Sequence, residues 1–443
     1  MKLYPLIIHF RLTMRKIVIV LTTCLSLLYS YNSRAQDITG LRTDTIKMRL
    51  DSAENIFVRK NFTLLAQRYN IDAQKALVLQ AKLFPNPTFS FGTPLYQTAT
   101  HKYFPMGKEG EISMGLSQVI MLANKHNKQL KIAQSNAELS EYQFYDLLRT
   151  LKHTLRSDFF NIHYLMQSAK VYQTEIDGLQ RMSDAFDQQK GKGYVSEKEV
   201  VRIKAQLYSL QSEFNDLQQQ IEGLESEMRL LLQTPSIVVV PEVNEQNIDV
   251  LNAQQYPIAK LIDTAYTERP DLKIAGLNTK ISTLNLQLQK AMAVPDVTLQ
   301  MNYDQQGSYI HNLATVGFSI DLPFLNRNQG NIKSARATVK QNEAGYLAAK
   351  AGVDEQIFNA LQRAMENSEL LQKRDPSFDR DFDRLSDEVL KNYRSRNMSM
   401  LDFLDFYDSY KENKVQTETL KYNRLSAFED LNFYTGTDLF PLK

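Results

Sequence analysis

The chain has no tryptophan, a single cysteine (Cys24), and only 16 glycines and 13 prolines in 443 residues. One cysteine excludes a disulfide framework and any thiolate metal centre. Glycine at about half its usual share of roughly 7% means few tight turns, so the elements between turns must be long. Charge of either sign is not in excess, with 52 basic against 50 acidic residues and no basic run. Nucleic acid is excluded as a partner on that ground. The six histidines, His9, His101, His126, His153, His163 and His311, never stand four apart, the spacing that lets two imidazoles on one helix share a metal. They read as surface or loop residues. The sequence contains no nucleophile elbow, phosphate loop or paired His and acid motif. It therefore offers no catalytic, cofactor or metal site, and the chain reads as a non-enzyme.

Long apolar runs are also missing. The longest lies at the front, where Arg15 and Lys16 precede an apolar stretch from Ile17 to Tyr31, followed by the small-x-Ala pattern Ser33-Arg34-Ala35. About 15 residues, broken by Thr, Ser and Cys24, fall short of the ~20 needed to cross a bilayer. Residues 1–35 read as a cleaved export signal, with Met14 as the natural start. Leu21-Thr22-Thr23-Cys24 resembles a lipoprotein box, but Thr23 suits the cut poorly and apolar sequence continues past Cys24. Removal of the segment takes away Lys2, Arg11, Arg15, Lys16 and Arg34 and leaves 47 basic against 50 acidic residues, a net charge of −3. Without a further apolar run, the exported chain either stays soluble beyond the inner membrane or enters a membrane as a β-barrel.

What the sequence does contain, it contains twice. At an offset of 210, Phe62 meets Leu272, Ile71 meets Ile281, Pro85 meets Pro295 and Phe89 meets Leu299. A second block matches at 204 (Ile112/Val316, Leu116/Ile320, Asn124/Asn328) and a third at 203 (Ser196/Ser399, Val200/Phe403, Leu217/Leu420, Thr234/Thr437). Units of this size are too long for a solenoid, so the chain divides into a first repeat, 36–244, and a second, 245–443. Each repeat reads as helix, two strands, long helix, tip and returning helix. Strands are expected at about 86–96 and 110–120, and again at about 295–305 and 313–324. Strict alternation, as in Val297, Leu299, Met301 and Tyr303 against Thr298, Gln300, Asn302 and Asp304, gives each strand one apolar and one wet face.

The helices are long. Between about Lys125 and Lys190 there is no proline and one glycine, Gly178, which at ~1.5 Å per residue predicts roughly 100 Å. The returning helix keeps Val200, Ile203, Leu207, Leu210, Phe214, Leu217, Ile221, Leu224, Met228 and Leu231 in alternating steps of three and four, a coiled-coil seam. In the second copy Asn413, Thr417 and Arg424 interrupt that seam, and Pro376 marks a break. Tips are expected at about 190–197 and 394–400. The first holds Gly193, Val195 and Ser196, with Ser196 as helix cap; the second holds Arg396, Met398 and Ser399, with Arg396 opposite Gly193 and Asn397 able to adopt the glycine's left-handed conformation.

Four half-wet strands cannot close a membrane barrel, whose strand count starts at eight. Three chains would supply twelve, and the intervening helices, rich in Lys, Glu and Gln, would have to extend into water. In this respect the sequence resembles the TolC family of outer-membrane efflux channels, over essentially all of residues 45–440. The likeness is carried by Leu83-Phe84-Pro85-Asn86-Pro87 and Ala293-Val294-Pro295-Asp296, by Asp321-Leu322-Pro323-Phe324-Leu325-Asn326-Arg327-Asn328-Gln329-Gly330, by Gly193, Ser196 and Glu199 at the tip, and by the ending Leu431-Asn432-Phe433-Tyr434-Thr435-Gly436. The run from Leu322 to Gly330 is most similar to the heavy-metal branch, the channels of cobalt/zinc/cadmium or copper/silver exporters.

The resemblance implies a mainly α fold with a small β part: an internally duplicated protomer whose four strands contribute to a twelve-stranded trimeric outer-membrane β-barrel, continued by a long α-helical coiled-coil barrel. It implies a homotrimer seated in outer-membrane lipid and reaching into the periplasm, where it meets a periplasmic adaptor and an inner-membrane pump. Adaptor docking falls to Gly193, Val195, Ser196, Arg396, Met398 and Ser399. Asp387, Glu388, Asp402 and Asp405, each presented three times, would ring the pore entrance and attract cations. Conduction is passive, without cofactor. The competing reading is a secreted or periplasmic coiled-coil scaffold or adhesin with no channel, which explains the heptads and leaves the paired amphipathic strands without a purpose.

Overall fold

Strand β1 (Asp44–Arg49) leads into helices α1 (Leu50–Lys60) and α2 (Phe62–Ala81) in a computed structural model that describes residues 44–98, 101–106, 110–245, 248, 250–306, 310–375, 377–395 and 397–441. Residues 1–35, expected to be an export signal, lie outside these residues with Cys24, as do Pro376 and Arg396; of Asp387 only the backbone is described. After α2 come β2 (Thr88–Gly92), a two-residue hairpin of β3 (Tyr96–Gln97) and β4 (Lys102–Tyr103), and β5 (Ser113–Ile120). The long pass α3 (Lys125–Lys190) turns into α4 (Glu197–Leu232). Strand β6 (Ile237–Glu242), which pairs with β1, closes the first half, and helix α5 (Ile258–Glu268) follows in the second. That half continues with α6 (Pro270–Met292), β7 (Val297–Asp304), β8 (Leu313–Ile320), α7 (Gln329–Gln372), α8 (Phe378–Arg394) and α9 (Met400–Thr435).

Helix α3 is 66 residues long, about 100 Å at the α-helical rise. It acts as the spine of the chain: α2 and α6 pack along it, as do α4 and α9, while α7 lies against α6 and α9. Eight of the ten seam positions on α4 are buried, with Phe214 and Leu224 packed against the cores at partial exposure. Two apolar clusters result. The larger gathers Phe57, Phe159, Ile357, Phe428 and Phe440 where α1, α3, α7 and α9 meet, and the smaller gathers Leu179, Ile203, Leu210, Phe403 and Tyr407 toward the hairpin tips. Each fully buried aromatic or aliphatic side chain contributes about 1.5–3 kcal/mol.

The helical break expected from Pro376 lies between Gln372 and Phe378. The expected second strand block at offset 204 needs a correction. Phe89 pairs with Leu116, and Leu299, its counterpart in the second half, pairs with Phe318, so Leu116 corresponds to Phe318, 202 positions on. Only Asn124 and Asn328, the left-handed residues that open α3 and α7 at φ 58°, keep the offset of 204. The reason is a connector two residues longer in the second half: with Ile120 matched to Leu322, residues 323–328 stand against 121–124. A slip of two residues preserves the face each side chain occupies, which is why the alternation misled only the register.

Candidate functional site: an open sheet and two hairpin tips

Strands β2, β5, β7 and β8 form one antiparallel sheet in that order. In register, Phe89, Leu116, Met301 and Val316 fall in one row, and Phe91, Met114 and Tyr303 in the next. This face is apolar and exposed: Phe318 is 70% and Val316 78% accessible. The opposite face carries Ser90, Gly115, Asn302 and Thr315 in a row. Among the described residues both edge strands, β2 and β8, lack a second neighbour, leaving ladder hydrogen bonds to be made elsewhere. Among the described residues no helix is long and apolar enough to cross a membrane; that statement does not bear on a barrel.

The base of the sheet is anchored to the helices by Asp296. Its carboxylate accepts from the Leu122 backbone at 2.9 Å and pairs with the buried Lys125 ammonium at 2.6 Å, which also donates to the Val294 carbonyl. In the second half the Asn328 amide donates to the Gln289 carbonyl at 2.8 Å. The first contact ties the ends of β5 and β7 to α3, and the second ties the start of α7 to α6.

At the far end, the two tips are closed by the same device. Tyr194 N–H donates to the Gln189 carbonyl at 3.1 Å, and Asn397 N–H, at the matching position, donates to the Asn392 carbonyl at 3.0 Å, the six-residue closure common after helix C-termini. Gly193 adopts φ +75° in open surroundings, where a side chain would be strained. Ser196 caps α4 in a reciprocal box: the Glu199 N–H donates to its hydroxyl at 3.3 Å while Ser196 N–H donates to the Glu199 carboxylate at 2.9 Å. Ser399 caps α9 by accepting from Asp402 N–H at 3.2 Å, and its hydroxyl donates to the Asp402 carboxylate at 2.7 Å.

Between the tips lies a cavity of about 600 Å³ lined by Met182, Phe186, Tyr194, Val195, Tyr393, Met398, Ser399 and Met400, among others. The structure thus brings Val195, Met398 and Ser399 to one cavity, with Gly193 and Ser196 on the adjoining turn. Met182, Phe186 and Tyr393 were not foreseen as part of it. Tyr393 could have been found from its four-residue spacing after Val389, since both are buried in the tip cluster; burial pushes its hydroxyl up to about 12. Of the four acidic candidates, Glu388, Asp402 and Asp405 are exposed, with Glu388 3.8 Å from Arg384. Asp402 is tied into the α9 cap. The first hairpin is laced by Lys190 to Glu197 at 2.8 Å and Lys204 to Asp187 at 2.7 Å; the Lys190 hydrogen bond holds the Glu197 carboxyl below its ordinary range.

Two histidines depart from their expected surface positions. His163 is buried on α3, 3.6 Å from Glu245, and His153 stands 3.0 Å from Asp430 of α9 and packs on Phe433. Both sit on the side of α3 that other elements cover, a fact set by packing rather than by sequence spacing. Among the described residues no group of three His, Cys, Asp or Glu side chains could hold a metal ion.

No protein-family model matches the chain. A curated relative, the cobalt-zinc-cadmium resistance protein CzcC of Cupriavidus metallidurans, is 19% identical over 315 residues, covering 71% of this chain and 72% of that protein. The solved structure of CusC, described in terms of transmembrane channel formation, superposes with a TM-score of 0.72 at 15% identity over 91% of this chain and 96% of its own. The Campylobacter jejuni CmeC outer-membrane channel gives 0.70 at 14% identity over 87% and 85%. This chain has the fold of the TolC-like outer-membrane channels.

Proposed function

We propose that the protein is the outer-membrane channel of a tripartite efflux system, carrying substrate passively across the periplasm and outer membrane after handover from an inner-membrane pump and a periplasmic adaptor. The observation that carries this reading is the four-stranded sheet with two open edges and one exposed apolar face, mounted on a helical body whose longest pass, α3, is about 100 Å long. In water such a face is a liability; in lipid it is the outer wall of a barrel. Three copies pool twelve strands, an even number in the range of known barrels. Residues 1–35 direct export, and the repeats 36–244 and 245–443 each supply one hairpin of strands and one of helices. The scaffold reading leaves the apolar face in water and is not favoured.

Heavy-metal cations are the substrate class this reading adopts, supported by the likeness to a cobalt-zinc-cadmium resistance protein. The chain does no bond chemistry. Gly193, Val195, Ser196, Met398 and Ser399 receive the adaptor around the cavity between the tips, and Arg396 completes the docking set. Glu388 and Asp405, exposed near the tips, are the acidic residues free to ring the entrance; Asp402, held in its cap, serves α9 first, and Asp387 completes the candidate set.

Cell fractionation combined with planar-bilayer recording tests the proposal. The expected result is recovery in the outer membrane and cation-preferring conductance that weakens when Glu388 and Asp405 are changed to Gln and Asn. Recovery in the soluble periplasm, with no conductance from the purified protein, contradicts it.

A further inference from the structure

The wall between the hairpins holds a buried carboxyl with no cation of its own. Glu175, on the tip side of α3, is 3% exposed, and one of its carboxyl oxygens has no hydrogen-bond partner. The groups facing it come from α3 and α9 and, one step removed, from α4. Tyr407 of α9 is nearest: its hydroxyl donates to the Glu175 backbone carbonyl at 3.3 Å and reaches the carboxyl as well. Lys411, also on α9, is the cation that acts on Glu175, but its ammonium is bound to Glu213 of α4 at 2.8 Å and lies over the Tyr172 ring. Asp408 of α9 adds a like charge and is held by the Gln206 amide of α4 at 2.7 Å. Arg181, further along α3, acts on Tyr407.

The backbone is shaped to this contact. Gly178 is the one glycine in α3, a residue that costs a helix interior about 1 kcal/mol relative to alanine. A Cβ at this position would collide with the Tyr407 hydroxyl, so the glycine forms a notch that admits the tyrosine. An ionised Glu175 in this notch would be a buried anion without a counter-charge, and burial accordingly pushes its carboxyl up to about 8. Parting α9 from α3 would admit water and remove that penalty.

We propose that Glu175, Tyr407 and the notch at Gly178 form a proton-operated latch between α3 and α9, which joins the two hairpins while Glu175 is protonated and releases them when it ionises. The inference rests on the channel reading only for what the latch controls, the opening of the tips. The sign follows from where the proton is held more tightly. In the parted state Glu175 returns toward the ordinary value of 4.5, and in the closed state it titrates near 8. The latch is at full strength below the first value and weakens as pH rises to the second, the closed-to-parted ratio falling by up to about tenfold per pH unit.

The test uses the full chain in detergent with spin labels on cysteines introduced by Lys192→Cys and Asn397→Cys, one on each tip, read at about pH 6 and about pH 9, with conductance recorded in parallel. The expected wild-type result is a shift to longer tip distances and higher open probability at the higher pH. Glu175→Gln should stay short and insensitive to pH. Gly178→Ala should be parted at both values. Tyr407→Phe keeps the packing and removes a hydrogen bond that favours the ionised carboxyl, so its midpoint should move to higher pH. A Glu175→Gln protein with the wild-type pH response overturns the latch, as does a wild-type distance that does not change. Distances that respond to pH in a protein that conducts nothing uphold the latch and overturn the channel reading; conductance with invariant distances does the reverse.

Discussion

The hairpin of α3 and α4 runs unbroken to its tip, whereas the hairpin of α7, α8 and α9 is interrupted between Gln372 and Phe378. The two also differ in what they bury. The α4 seam is apolar along its length, while α9 buries Lys411, Thr417 and Arg424 among its apolar residues. The Arg424 guanidinium donates to the Leu251 carbonyl at 3.0 Å and to the Ser368 hydroxyl at 3.2 Å. Helix α4 presents one packed stripe, and a stripe can be wholly apolar; α9 is covered by α3 on one side and α7 on another, so positions that would face water on α4 need buried polar partners on α9. Polar contacts across a helix pair are specific in geometry and can be exchanged for water, while an apolar seam cannot. Of the two returning helices, α4 is therefore the strut and α9 the part suited to movement.

The comparison can be broken first at the seam. Phe403, fully buried and stacked on Tyr393 with ring centroids 4.4 Å apart, matches Val200 in the first copy. Phe403→Ala is expected to cost about 3–5 kcal/mol and Val200→Ala about 2 kcal/mol, measured by denaturant unfolding; equal losses would mean that the second tip has no core of its own. A smaller effect follows at the ion pairs. Lys411→Met leaves the half-exposed Glu213 without its partner and should cost about 1–2 kcal/mol after solvent screening. Lys204→Met, at an exposed pair of the first hairpin, should leave the unfolding midpoint unchanged. A matched loss at both sites would refute the contrast between strut and moving part.

The smallest difference between the two hairpins belongs to the caps. Ser196→Ala removes a reciprocal box and Ser399→Ala a one-sided cap, each worth about 1 kcal/mol. Hydrogen exchange of the first turns of α4 and α9 should rise in the respective variants, more steeply for α4. Indifference of both turns would show that packing alone fixes the helix starts.

Features set by neighbours in sequence were legible before the fold was known. The alternation of Val297 to Asp304 is the two faces of β7, the steps of three and four on α4 are its buried stripe, and Ser196 with Glu199 forms the cap its spacing implied. What escaped depends on partners far along the chain. Nothing local to His163 announces Glu245, and nothing near Arg424 announces Leu251, 173 positions away. Nothing in the sequence marked Met182 as a wall of the tip cavity. Gly178 was visible only as an isolated glycine; its purpose became apparent with the Tyr407 hydroxyl against it. The β2 strand, Thr88–Gly92, is shorter than its alternation suggested, since Pro87 has no N–H to give the ladder.

The central claim is that the open sheet is one third of a barrel. Single-particle electron microscopy of the detergent-purified protein tests it most directly: the account predicts a three-fold particle with twelve strands closed into one wall and a helical tube of about 100 Å beneath it. A monomeric particle, or one whose sheet edges remain unpaired, would contradict it.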